Sequence, residues 1–190
     1  MDSSVRDFTN FWEALVVNFI WDNLFRGKDG TRPLREQLRK NILFQDLNFQ
    51  QLYLLENIVN VRHYRPGEAV FKQGEVGVGM YIILSGSVSI TVEEIELNTT
   101  SSRSTHITHL KSGDFFGELA LVENEGRRSA TAFAHEESVL IGFFKPDLFE
   151  IIERNPSAGV KILLRLGEVL GTRLRQTTAR ISELKKESKQ

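Results

Sequence analysis

The chain has 190 residues, 41% of them apolar and 26% charged, with a net charge of −1 and no cysteine. That length suits one globular domain with extensions, and the near-zero charge argues against a protein built to coat nucleic acid. Without cysteine there is neither a disulfide framework nor a thiolate metal site.

The first residues carry Asp2, Asp7 and Glu13 and lack a basic segment, so they do not read as a signal peptide. The apolar run between Glu13 and Asp22 is too short to span a bilayer, which takes about 20 residues. The expected compartment is the cytoplasm. Over 8–25, Phe8, Phe11, Trp12, Leu15, Val16, Phe19 and Ile20 fall at helical spacing, with Val17 and Trp21 outside that stripe. The spacing predicts a helix that is apolar over much of its circumference. Trp12, Phe19, Trp21 and Phe25 exceed what packing on one domain requires, so the helix either covers its own domain or a dimer partner, or meets another protein or a membrane surface. Gly27, Gly30 and Pro33 then mark a linker, so 1–33 is set apart from the rest of the chain.

Residues 34–60 predict one or two short helices. Asn48 is placed to cap the second, with Leu52, Leu55, Ile58 and Val59 on one face. Pro66-Gly67 is a turn signal. From about 61 to 144 short apolar runs are cut by glycine: EAVFKQGE, MYIILSGSVSITVEE, THITHL, ATAFA and SVLIGFF each read as strands. Short, regularly punctuated strands suggest an antiparallel barrel or sandwich, with TTSSRST at 99–105 as a hairpin tip. The barrel unit and its helical lead-in are assigned to 34–146. From 147 to 190 the helical period returns. Gly167, Leu170, Leu174, Thr177, Ile181, Leu184 and Ser188 follow a 3,4 spacing, a heptad seam that fits either a helix packed on its own domain or a pair of helices in a homodimer through 160–188.

The stretch GDFFGELALVENEGRRSAT at 113–131 has no obvious use in a packed core. If a short helix begins near Glu118, its leading N–H groups suit an anion, and Gly117 lets the backbone come close. Glu118 can accept hydrogen bonds from sugar hydroxyls. Arg128 or Arg127 supplies the planar fork that matches a phosphate, and Ser129 adds a hydroxyl. Together they can hold a phosphorylated sugar; a turn closed by a salt bridge is the plainer alternative.

Phe116-Gly117-Glu118-Leu119-Ala120-Leu121 followed by Arg128-Ser129-Ala130-Thr131, with Glu118 and Arg128 ten apart, resembles the phosphate-binding cassette of the cyclic-nucleotide-binding domain family. That family includes the bacterial catabolite activator protein and the regulatory subunits of cAMP-dependent protein kinase. Gly67-Glu68, Gly74-Glu75, Gly79 to Leu84 and Ser85-Gly86-Ser87-Val88 are similar to its habit of a glycine at each strand turn, and the likeness runs over about 42–185. The resemblance implies an α+β fold: an eight-stranded antiparallel jelly-roll-like β-barrel with helices before it and a long helix after. It implies that Arg128 pairs with a cyclic phosphate, Ser129 bonds to it, and Glu118 accepts from the ribose 2′-hydroxyl. Backbone N–H groups around Gly117 to Leu119 complete the cradle, with Ala120 and Ala130 beside them. In the bacterial activator a Thr-Ser pair on the long helix reaches adenine, partly across a dimer; by resemblance Thr177-Thr178 fall in a similar place. Thr177 on an apolar seam wants a polar partner, which is either a base or a second threonine across the seam. Ser129 resembles the cAMP type more than the cGMP type, which has threonine. Kinase-like members have proline before the arginine where this chain has Arg127; a one-residue shift is thus open, and the Arg-Ser-Ala-Thr register favours Arg128.

Four histidines give no metal site by this reading, since His106 and His109, three apart in a strand, face opposite sides. No serine–histidine–acid set converges, so an enzyme is not expected. The basic run Arg173 to Lys189 reads as a solvated helix face. The chain stops at Gln190 without room for a helix-turn-helix domain, so the expected partner is an effector protein rather than DNA. The expected function is a non-catalytic cyclic-nucleotide sensor, cAMP rather than cGMP; the alternative is a ligand-free barrel acting through its apolar N-terminal helix.

Overall fold

The computed structural model describes residues 34–95 and 102–187. The expected helix at 8–25, the expected linker up to Pro33, residues 99–101 of the expected hairpin tip and the seam residue Ser188 lie outside the described residues.

Two short helices open the described chain, α1 at Leu34–Lys40 and α2 at Phe49–Ile58. The Asn48 side chain accepts from the Gln51 amide at 2.9 Å, and the Gln51 side chain accepts from the Asn48 amide at 3.0 Å. This reciprocal pair satisfies two amides that a helix start leaves over. Leu52 and Leu55 turn inward, as their spacing requires.

Eight strands come next: β1 Asn60–Tyr64, β2 Ala69–Phe71, β3 Gly79–Ser85, β4 Ser87–Ile95, β5 Ser102–Lys111, β6 Phe115–Phe116, β7 Thr131–Ala134 and β8 Ser138–Phe144. They form two four-stranded antiparallel sheets, ordered β1-β8-β3-β6 and β2-β7-β4-β5. The architecture is a jelly-roll sandwich of two sheets rather than a closed barrel. A four-residue helix, α3 at Leu119–Val122, sits between β6 and β7. Helices α4 at Lys145–Arg154 and α5 at Pro156–Glu187 close the chain. No helix among the described residues is long and apolar enough to cross a membrane.

The continuous apolar run of β3 has a simple cause. Tyr81 and Ile83 point between the sheets, beside Val88, Ala132, Ala134 and Leu140. Met80 and Ile82 point the other way, into a layer with Leu38, Leu52, Leu55, Leu148, Ile151, Ile162 and Leu166 from the helices. A strand covered on both faces has no polar side to show. Each fully buried aliphatic side chain contributes about 1.5–3 kcal/mol.

Strand β1 carries no sequence signal: of NVRHY only Tyr64 is buried, and the strand exists because its backbone pairs with β8. The β5 register also departs from expectation. Ile90 pairs with Thr108 but Thr91 pairs with His106, which leaves Ile107 as a bulge. One extra residue inverts the alternation. His106 and His109 therefore share a face, their ring centroids 4.4 Å apart, with His135 at 4.7 Å from His109. This corrects the expectation that they face opposite sides. Among the described residues, however, no group of three or more histidine or acidic side chains is arranged to hold a metal ion.

Two outcomes are expected. Asn48→Ala removes half of the capping pair and lowers unfolding free energy by about 1 kcal/mol in urea titration, whereas Asn48→Asp changes it little. Although His109 is exposed, partial loss of water around its ring first, and then the neighbouring His106 and His135, hold its imidazole below the ordinary pKa. The unfolded chain thus takes up the proton more readily, and stability present above about pH 6.5 is lost as the pH falls below it. Thermal unfolding followed from pH 7.5 to 5.0 should show a shallower decline in His109→Asn than in wild type.

Candidate functional site

A cavity of about 400 Å³ opens between the cassette and the β2-β7-β4-β5 sheet. Ile90, Thr108, Leu110 and Phe71 form its sheet side; residues 115–120 and 126–130 form the opposite side, with Arg173 of α5 at its edge. The wall is largely apolar, with charged groups at a few points, the usual composition of a small-molecule site.

Arg128 is the deepest of these charges. It is only 8% exposed, just before β7. Its Nη1 donates to the Gly117 carbonyl at 3.1 Å and its Nη2 to the Gly79 carbonyl at 2.6 Å. Its guanidinium carbon lies 4.0 Å from the centre of the Phe71 ring. Its Nε is buried without a hydrogen-bond partner. Among the described residues no carboxylate forms an ion pair with it. Burial pulls the guanidinium below its ordinary pKa, opposed first by Tyr81 and then by the Glu75 and Glu118 charges, and it stays a cation. A buried cation held only by neutral groups is a strong anion-binding element.

The backbone is shaped around it. The Arg128 amide donates to the Glu75 carbonyl at 2.8 Å, and the Gly74 amide donates to the Arg128 carbonyl at 2.9 Å. Gly117 has φ of 76°, where only glycine sits without strain, and a Cβ there would lie 2.5 Å from Arg128 Nη1. A Cβ on Gly77 would lie 2.8 Å from the Ala120 Cβ and 3.4 Å from the guanidinium. These glycines let two backbone segments close against one side chain.

Glu118 is also buried, at 6% exposure, at the start of α3. Its Oε1 accepts from Arg173 Nη1 at 2.6 Å. Arg173 Nη2 donates to the Phe115 carbonyl at 3.2 Å, and the guanidinium carbon lies 4.7 Å from the Phe115 ring centre. The cavity lining therefore holds a buried cation and a buried carboxylate, the carboxylate tethered to the long helix.

The expected site residues divide into two groups. Gly117, Glu118, Leu119, Ala120, Arg128, Ser129 and Ala130 all line the cavity. Ser129 and Leu119 are exposed, and the Ala120 amide turns back onto the Gly117 carbonyl at 3.2 Å. Arg127 also borders the cavity, but it is exposed and its Nη1 donates to the Gly74 carbonyl at 2.7 Å. Of the adjacent arginines, Arg128 is the buried one. Thr177 and Thr178 lie outside the cavity lining, on the exposed length of α5, their hydroxyls donating to the Arg173 and Leu174 carbonyls at 2.9 Å. Arg173 and Phe71 are site residues that sequence reasoning missed. Arg173 was legible in principle: it stands four before Thr177, one turn nearer the cassette on the same helix face.

Arg173→Ala leaves the Glu118 carboxylate buried without its cation. Arg173 is 44% exposed, so the loss falls short of that for a fully buried pair. Urea titration should report a decrease of about 1–2 kcal/mol, with Arg173→Lys intermediate because an ammonium cannot serve Glu118 and the Phe115 carbonyl as one planar fork.

Comparison with known proteins gives a consistent set of likenesses. A profile of the cyclic nucleotide-binding domain matches residues 61–155. The cyclic AMP receptor protein of Thermus thermophilus is 30% identical over 70% of this chain and 57% of its own. The cyclic nucleotide-gated channel beta-3 of Mus musculus is 33% identical over 73% of this chain and 19% of its own. The chain thus spans little more than half of the first relative and a fifth of the second. The crystal structure of the Thermus thermophilus catabolite activator protein superimposes with a TM-score of 0.65 at 28% identity, over 76% of this chain and 63% of that one.

Proposed function

Because this chain belongs to the cyclic nucleotide-binding domain family, we propose that its cavity takes a 3′,5′-cyclic nucleotide, cAMP in preference to cGMP, and that the protein is a non-catalytic sensor. The observation that carries the reading is the buried Arg128, charged and without a carboxylate ion pair, lining one cavity with the buried Glu118. The cyclic phosphate meets the Arg128 guanidinium and the Ser129 hydroxyl. The ribose 2′-hydroxyl donates to Glu118. Gly117, Leu119, Ala120 and Ala130 set the shape, and the base lies toward Ile90 and Leu110. The preference for cAMP rests on Ser129 in place of the threonine of cGMP-type members.

The same reading gives α5 its role. Glu118 serves two partners, the ligand's ribose and Arg173, so occupancy changes what the helix is tied to. The ligand can move the helix only by its difference in affinity for the two arrangements. Residues 34–146 are then the binding unit and 147–190 the reading unit, with an effector protein downstream. Leu174, Ile181 and Leu184 stay 69%, 48% and 49% exposed on α5, which supports pairing of this helix with a second copy along the heptad seam. In such a homodimer Thr177 and Thr178 have either the partner's base or the partner's threonine within reach.

Titration calorimetry of nucleotide-stripped protein with cAMP and cGMP, beside Arg128→Ala, tests the reading. Loss of a charged hydrogen-bonding partner removes about 1.5–3 kcal/mol, so cAMP affinity should fall roughly tenfold to a hundredfold or more. Folded, empty wild-type protein that gives no heat with either nucleotide contradicts it.

A further inference from the structure

The cation of the cavity is held in an unusual way. A buried guanidinium usually shares its site with a carboxylate, which neutralises it and occupies two of its donors. Arg128 has an aromatic ring instead. Phe71 lies in the short strand β2, where a register slip between Ala69 and Phe71 sets the pairing with Ala132. Its ring is backed by two others, Phe116 at 5.7 Å and Tyr81 at 6.1 Å, which stack on each other at 5.7 Å. The guanidinium carbon lies 4.0 Å from the centre of this supported ring, and Phe71 itself borders the cavity. On other sides the guanidinium meets Gly77 and Gly117.

An aromatic face differs from a carboxylate in what it leaves free. The ring quadrupole offsets part of the desolvation of the cation while using none of its N–H groups. A guanidinium donates in its own plane, so a ring against it takes none of its five N–H groups; in Arg128 two go to the Gly117 and Gly79 carbonyls, and those left, Nε–H among them, are available to an acceptor. Aliphatic cavity residues such as Ile90 and Leu110 give volume but no such field.

Building on the nucleotide reading above, we propose that Phe71 is a positioning residue for phosphate: its ring holds the Arg128 guanidinium in the plane that receives the ligand's anion. Phe71 acts on the phosphate through Arg128, and its contribution is separate from any apolar contact it makes with the base.

The experiment compares wild type, Phe71→Leu and Phe71→Tyr, each alone and combined with Arg128→Ala, for affinity toward cAMP and toward adenosine, which lacks the phosphate. Phe71→Leu should weaken cAMP about three- to tenfold, leave adenosine within twofold, and have no further effect on cAMP once Arg128 is alanine. Phe71→Tyr, which keeps an aromatic face, should restore binding to within twofold of wild type. If Phe71→Leu does not fold, Phe71→Met carries the same comparison. Equal losses for cAMP and adenosine, or a loss that persists in the Arg128→Ala background, would overturn the inference and make Phe71 an ordinary wall of the base pocket. Unchanged cAMP affinity in folded Phe71→Leu would overturn it too, while leaving the nucleotide reading intact. Wild-type protein that binds neither nucleotide removes that reading and this inference with it.

Discussion

Arg128 couples one buried positive charge to most of the parts that define the site. The residue leads into β7, in the sheet β2-β7-β4-β5, yet its guanidinium donates to Gly79 at the start of β3 and to Gly117 just after β6, both in the other sheet. Desolvating a guanidinium is costly, and these two carbonyls with the Phe71 ring are what offset it. The glycines at 77 and 117 answer to the same constraint, since at either position a side chain would press on the guanidinium or on its own hydrogen-bond route. The cavity is the space left beside this joint.

A second, looser charge lines the same cavity. Glu118 is buried, but its cation comes from α5, far along the chain, and that cation is nearly half exposed. Arg128 is thus anchored by the sandwich itself, and Glu118 by a helix that extends beyond it. Under the proposed function, such an asymmetric pair would let one group fix the ligand while the other ties its occupancy to the helix. Along that helix Leu174, Ile181 and Leu184 remain exposed, and on the same reading they are the surface that would receive the change.

Much of this was legible in the sequence because it is encoded locally. The cassette residues lie within one short stretch, and Gly117 beside Glu118 is out of place in an ordinary packed core. Asn48 and the apolar face that follows it announced α2, and the heptad spacing announced α5. The rest depends on what distant segments do to one another. β1 is a strand because β8 is beside it, not because NVRHY alternates. The histidines of β5 share a face because a bulge at Ile107 adds a residue, and no period in THITHL declares it. Phe71 reads as one more apolar strand residue until the chain folds Arg128 onto its ring. The same holds for Arg173, whose charge merges with a basic helix surface until Glu118 is placed under it.

The most direct test of the account is a crystal structure of the protein grown with saturating cAMP. The account predicts one nucleotide per chain in the cassette cavity, its cyclic phosphate on Arg128 and Ser129 and its ribose 2′-hydroxyl on Glu118. A cavity without nucleotide under those conditions, or a nucleotide bound elsewhere or with its phosphate away from Arg128, would contradict it.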